Sequence, residues 1–118
     1  MTGPDLLVDQ PTRPTGVSAC GTALASPMPR AVAEERSALL KAVADPVRLQ
    51  LLSLIASSPR QEACVCDMTQ VVGVSQPTVS HHLKVLVEAG VLTRARRGTW
   101  AWFTLVPRRL EDITRIFG

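Results

Sequence analysis

Apolar positions along this chain fall into short blocks whose spacing changes from one block to the next, and the blocks crowd together only after residue 30. From Ala31 to about Ala44, Val32, Leu39, Leu40 and Val43 recur at helical spacing. Glu34 and Glu35 lie near the start, where acids complement the helix dipole. Asp45-Pro46 then signals a second helix, because Asp is a good cap and Pro at the first helical position sacrifices no hydrogen bond. That helix should run to about Ser57. It carries Val47, Leu49, Leu51, Leu52, Leu54 and Ile55, apolar on nearly every face, the pattern of a buried central helix.

Asp67 followed by Gln70 resembles a capping box and predicts a short helix from Met68 to about Val72, stopped at Gly73. Ser75 should cap the next helix, with Pro77 in its first turn, running to about Ala89. Two helices joined by a three-residue turn containing Gly form a helix-turn-helix. At 100° per residue, Val79, Leu83, Leu86 and Val87 share one third of the second helix and must face the core. His81 lies opposite, with Thr78 and Lys84 beside it, while Gln76, Ser80 and His82 flank the apolar stripe. These short hydrogen-bonding groups, with Ser75 at the cap, and a cation suit a DNA groove, where Gln bonds adenine, Ser and Thr bond bases or phosphates, and Lys neutralises phosphate.

The pattern next changes to strand spacing. Val91–Ala95 and Trp100–Leu105 are two β-prone runs joined by Arg96-Arg97-Gly98-Thr99, a hairpin with a basic tip. Trp100 and Trp102 share a face of that hairpin and should pack rather than stack on bases. A short last helix from Pro107 carries Leu110, Ile113, Ile116 and Phe117. It is too short to stand alone, so it should pair with the Ala31–Ala44 helix across a two-fold axis. The fold class expected is therefore mainly α with a β-hairpin wing, a winged helix-turn-helix, as a homodimer through its first and last helices. Such a dimer presents its recognition helices to successive major grooves, roughly 34 Å apart, and calls for an inverted-repeat operator of double-stranded DNA.

Composition changes this picture at the front of the chain. Residues 1–30 hold Pro4, Pro11, Pro14, Pro27 and Pro29, with no apolar periodicity, and are expected to form a flexible arm carrying Cys20. Residues 31–118, about 88 of the 118, make the DNA-binding and dimerisation domain; a domain that size buries only about 60% of its unfolded surface, which favours oligomerisation. No leader pattern and no apolar run long enough for a bilayer is visible. Three cysteines, an odd number, fit free thiols or ligands in a reducing cytoplasm better than a disulfide framework. Net charge is only +3, but Arg94, Arg96 and Arg97 cluster near Lys84, a local basic footprint for nucleic acid.

Three segments together resemble the ArsR/SmtB family of repressors, winged-helix dimers that leave DNA on binding a metal or metalloid. They are Ala44-Asp45-Pro46-Val47-Arg48-Leu49, Glu62-Ala63-Cys64-Val65-Cys66-Asp67, and Val74 to Leu83. The middle segment is similar to the arsenic-sensing box of the arsenical-resistance repressors. Other members of the family bind zinc, nickel or cobalt through His and acids on the last helix; Arg108 to Gly118 contains no His, so that site is not expected here.

The resemblance implies As(III) or Sb(III) as inducer ligand, with no catalytic cofactor. Soft ions take soft thiolate sulfur, and trivalent arsenic or antimony takes three sulfurs in a pyramid. Cys64 and Cys66 would share one side of an extended segment, with the following helix N-terminus lowering the thiol pKa. The family's usual third cysteine is missing, Thr69 and Gln70 standing in that region. Cys20 is the remaining thiol, and the roughly ten residues before the first helix give it a reach of about 33–36 Å. Adjacent ring nitrogens on different faces make His81 and His82 a poor metal site and suit them to DNA contact. A Cd(II), Pb(II) or Zn(II) sensor and a thiol-redox sensor of the same fold are the alternatives. An enzyme, such as a thiol-based arsenate reductase, is disfavoured: there is no phosphate-cradling loop and no nucleophile–base arrangement around Cys64.

Overall fold

The computed structural model describes Gly21 and residues 23–118, and residues 31–118 form one unit. Cys20 and the rest of the expected arm before Gly21 lie outside the described residues. In order, the elements are α1 (Arg30–Val43), α2 (Pro46–Ala56), β1 (Glu62–Cys64), α3 (Val65–Val72), α4 (Gln76–Glu88), β2 (Leu92–Arg97), β3 (Trp100–Leu105) and α5 (Pro107–Thr114). A single 3-10 turn, Pro59–Gln61, links α2 to β1.

Local chemistry sets most of the boundaries. Asp45 accepts hydrogen bonds from the backbone N–H groups of Val47 and Arg48 at 2.9 and 3.1 Å, which fixes the start of α2. Gly73, with φ 84°, ends α3 in the left-handed region that favours glycine. Ser75 caps α4, its hydroxyl accepting from the N–H of Thr78 at 3.4 Å. In the hairpin, Gly98 has φ 64° and lets a two-residue turn close β2 onto β3.

The core lies where α2, α4 and the hairpin meet. Leu51 and Ile55 of α2, Val79, Leu83 and Leu86 of α4, and Val91 are fully buried, with Leu92 and Phe103 of the hairpin against them. Each such side chain stabilises the fold by about 1.5–3 kcal/mol through burial. α2 is not buried on every face: Leu49 is 54% exposed, because only one side of the helix meets α4 and the sheet.

Four features differ from expectation. The sheet has three strands, ordered β1-β3-β2, where a two-stranded hairpin was expected. β1 pairs antiparallel with β3, setting Glu62 opposite Thr104, Ala63 opposite Phe103 and Cys64 opposite Trp102. This pairing draws the start of α3 back to Val65, so Cys64 is the capping residue and Asp67 sits inside the first turn instead of capping it. β2 continues through Arg97, leaving only Gly98 and Thr99 in the turn. α5 stops at Thr114, and Ile116 and Phe117 follow it outside the helix.

Candidate functional site

The cysteine pair spans the junction of strand and helix. Cys64 closes β1, 3% exposed, while Cys66 lies half-buried in the first turn of α3. Their sulfurs stand 2.7 Å apart, and the Asp67 carboxylate lies 3.9 Å from the Cys66 sulfur. Donor atoms of Cys64, Cys66 and Asp67 all fall within 4.8 Å of one another, the only such metal-capable group among the described residues. Two thiols and a carboxylate at one point fit a soft ion or a trivalent metalloid, since soft centres select sulfur. Asp67 was expected to cap the helix, and its place beside the thiols adds a donor that the sequence pattern did not reveal.

The electrostatics of the pair differ from expectation. The Cys66 thiol is pushed above the ordinary cysteine value, first by its hydrogen bond with Cys64, then by burial and by the charges of Cys64 and Asp67. The Asp67 backbone N–H pulls the other way. At Cys66 the Cys64 hydrogen bond, burial and the neighbouring charges thus outweigh the Asp67 N–H.

Just beyond the pair, the helix-turn-helix presents α4. Gln76, Ser80, His81 and Lys84 are exposed on its outer side. Ser75 and Thr78 are exposed too, but their hydroxyls hold each other at 2.9 Å as part of the cap. His82 turns inward. Its Nδ1 accepts from Arg48 Nη1 at 3.0 Å and lies 3.8 Å from Asp45 Oδ2, and Arg48 in turn donates to the Ala42 carbonyl at 2.6 Å. Because Arg only donates, this geometry places the His82 proton on Nε2. His82 and Arg48 therefore tie α4 to the start of α2, a link that a helical wheel of α4 alone cannot show.

The hairpin sorts its three arginines onto two faces. Pairing sets Arg94 opposite Phe103 and Arg96 opposite Ala101, on the face toward α4, and Arg97 opposite Trp100, on the other face. Arg94 shares a cavity of about 330 Å³ with Val65, Ser80, Lys84 and Phe103, between α4 and the hairpin. Arg97 instead donates two hydrogen bonds to the Glu62 carboxylate, at 2.7 and 3.1 Å, with its guanidinium 4.7 Å above the Trp102 ring. The contact with Arg97 holds the Glu62 carboxyl below the usual range and raises Arg97.

A buried helix-turn-helix core, an outward polar helix and a basic hairpin beside it define a winged helix-turn-helix regulator. Residues 45–94 match the family described as "Bacterial regulatory protein, arsR family". The chain is 38% identical over 80 residues to the arsenical resistance operon repressor of Staphylococcus aureus, covering 68% of this chain and 74% of that one. Among solved structures it is similar to the AntR antimony-specific transcriptional repressor, at 30% identity and TM-score 0.66, covering 77% of this chain and 81% of that one. It is also similar to a homodimeric winged helix-turn-helix DNA-binding domain from Mycobacterium bovis, at 29% identity and TM-score 0.59, covering 74% and 75%. The chain belongs to the ArsR family of transcriptional regulators, and not to a family of enzymes. Among the described residues no helix is long and apolar enough to cross a membrane.

Proposed function

We propose that this protein is a dimeric repressor whose affinity for an inverted-repeat operator falls when As(III) or Sb(III) engages Cys64 and Cys66. The observation that carries this reading is the thiol pair, 2.7 Å apart, at the junction that begins the helix-turn-helix. Relatives named for arsenical resistance and for antimony support the choice of ligand. Cys20 is the candidate third thiolate and Asp67 the oxygen donor already in place. Dimerisation is supported by the homodimeric relative, and its placement at α1 and the C-terminal segment by exposed apolar side chains, Leu40 on α1 at 41% and Phe117 just after α5 at 92%.

In this reading the ligand-free dimer lays α4 in the major groove through Gln76, Ser80 and His81. Lys84, Arg94 and Arg96 neutralise phosphate from the helix and the wing. A ligand bonded to both sulfurs fixes their separation and orientation and so constrains the first turn of α3 against β1. Val65, between the two cysteines and 5% exposed, shares the cavity with Lys84 and Arg94 and carries that constraint toward the DNA-facing side.

The experiment is selection of random duplexes by the purified, reduced protein, followed by arsenite titration. An inverted repeat with half-sites about one helical turn apart should emerge. Within such a site, Lys84→Ala or Arg94→Ala should weaken binding to all sequences alike and lower the salt slope by about 0.9 each. An unchanged slope in both variants would move the phosphate contacts elsewhere.

Asp67 favours one second reading, a divalent Cd(II), Pb(II) or Zn(II) sensor, because a carboxylate beside two thiols makes a mixed oxygen–sulfur donor set. pH separates the two. A dication displaces thiol protons, so its affinity should rise about tenfold per pH unit for each proton released. The raised Cys66 thiol extends that rise above the ordinary thiol range. Arsenite near neutral pH is the uncharged As(OH)3, which condenses with protonated thiols and releases water without net proton change. Its binding should stay flat from about pH 6 to 8, and calorimetry in buffers of different ionisation enthalpy distinguishes the cases.

A further inference from the structure

One face of the sheet carries a connected set of side chains that the DNA-binding surface does not use. Glu62 and Cys64 of β1, Trp102 and Thr104 of β3, and Arg97 of β2 all lie on it by strand pairing. Glu62 grips Arg97 with both carboxylate oxygens and accepts from the Thr104 hydroxyl at 3.5 Å. Arg97 lies over Trp102, and Trp102 is the cross-strand partner of Cys64. The Glu62 side chain is only 12% exposed, while Arg97 is 48% exposed above it. Its bidentate, planar geometry fixes orientation as well as distance.

We propose that the Glu62–Arg97–Trp102 stack couples the cysteine segment to the wing, with Arg97 acting as a positioning residue and not as a phosphate contact. The inference rests on the reading of Cys64 and Cys66 as the ligand site. Glu62 lies two residues before Cys64 on a three-residue strand, so the strand is too short to absorb a displacement at its end. A cavity of about 510 Å³, lined by Leu54, Ala63, Met68, Val71 and Trp102, lies beside it and gives the start of α3 room to move. At the other end, Arg97 is the last residue of β2. Holding it down on the Glu62 side fixes the strand so that Arg96, its neighbour on the opposite face, points toward the α4 side. A shift of Glu62 releases Arg97 and lets the wing tip turn, withdrawing Arg96 from its phosphate.

Two measurements on the full-length reduced protein test this. In the wild type, arsenite is expected to lower operator affinity by about 5–150-fold. In Glu62→Gln, which keeps the shape but loses the charge and one acceptor, arsenite should still bind the thiols, followed by thiolate absorption, while its effect on operator affinity shrinks below about twofold. Arg96→Ala should lower the salt slope of operator binding by about 0.9, and adding Arg97→Gln to it should lower the slope no further. A further loss of about 0.9 in the Arg96→Ala/Arg97→Gln double variant would make Arg97 a DNA contact and overturn the assignment. A wild-type-sized arsenite response in Glu62→Gln would overturn the coupling alone. No arsenite response in the wild type would instead remove the proposed function and the coupling with it, while the salt slopes would still decide what Arg97 touches.

Discussion

Replacing Cys66 by serine is expected to abolish arsenite-induced release while leaving operator affinity within roughly twofold of wild type. The side chain is half-buried beside Cys64 and packs in no core cluster, so the near-isosteric hydroxyl disturbs little. What it removes is a soft donor: a serine oxygen neither ionises near neutral pH nor competes for a soft centre. The release lost is the whole coupling, about 5–150-fold in operator affinity. Operator titration of the variant with and without arsenite is the check. Retained release would place the ligand elsewhere, and a collapse of ligand-free DNA binding would make the cysteine structural.

The second large effect is on stability. Leu83→Ala in the middle of α4 should cost about 2–5 kcal/mol, since Leu83 is fully buried among Leu51, Ile55 and Leu86. That is a large share of the roughly 5–15 kcal/mol available to a small domain. At fixed protein concentration the melting temperature should fall by at least about 10 °C, and operator binding should fall with it, because the same helix carries the outward polar face. A change of only one or two degrees would mean that α4 is turned differently from the arrangement described. Lys84→Ala, one residue along and exposed, should do the reverse: lose DNA affinity and keep its melting temperature.

The helix-turn-helix was legible because its signals are local. Asp45, Pro46, Gly73, Ser75 and Pro77 act within a turn of where they stand, and the apolar stripe of α4 needs only the helical repeat. β1 was not legible: three residues offer no periodicity, and their partner strand begins more than thirty residues later. That long-range pairing also explains the early start of α3, since it makes Cys64 the last extended residue and overrides the local appeal of Asp67 as a cap. Arg97 is a case of incomplete use of a legible signal. Once β2 is carried past Ala95, strand alternation alone puts Arg97 on the face opposite Arg94 and Arg96. Its grip on Glu62, 35 positions away, could come only from the fold. The inward turn of His82 likewise depends on Arg48 and Asp45, residues of another helix and its cap.

The thiol pair was legible as chemistry before it was legible as geometry. Its residues name a soft ligand; the structure adds that one sulfur ends a strand and the other begins a helix, with Val65 buried between them under the cavity between α4 and the hairpin. A ligand that binds both sulfurs therefore acts on both elements at once, which is what an allosteric input requires. The measurement that bears most directly on this is operator affinity of the reduced wild-type protein with and without saturating arsenite, paired with arsenite affinity with and without operator. Linkage requires the two ratios to agree, and the structure leads us to expect a weakening of about 5–150-fold in each. Equal operator affinity in both conditions, with arsenite shown to be bound, would contradict it.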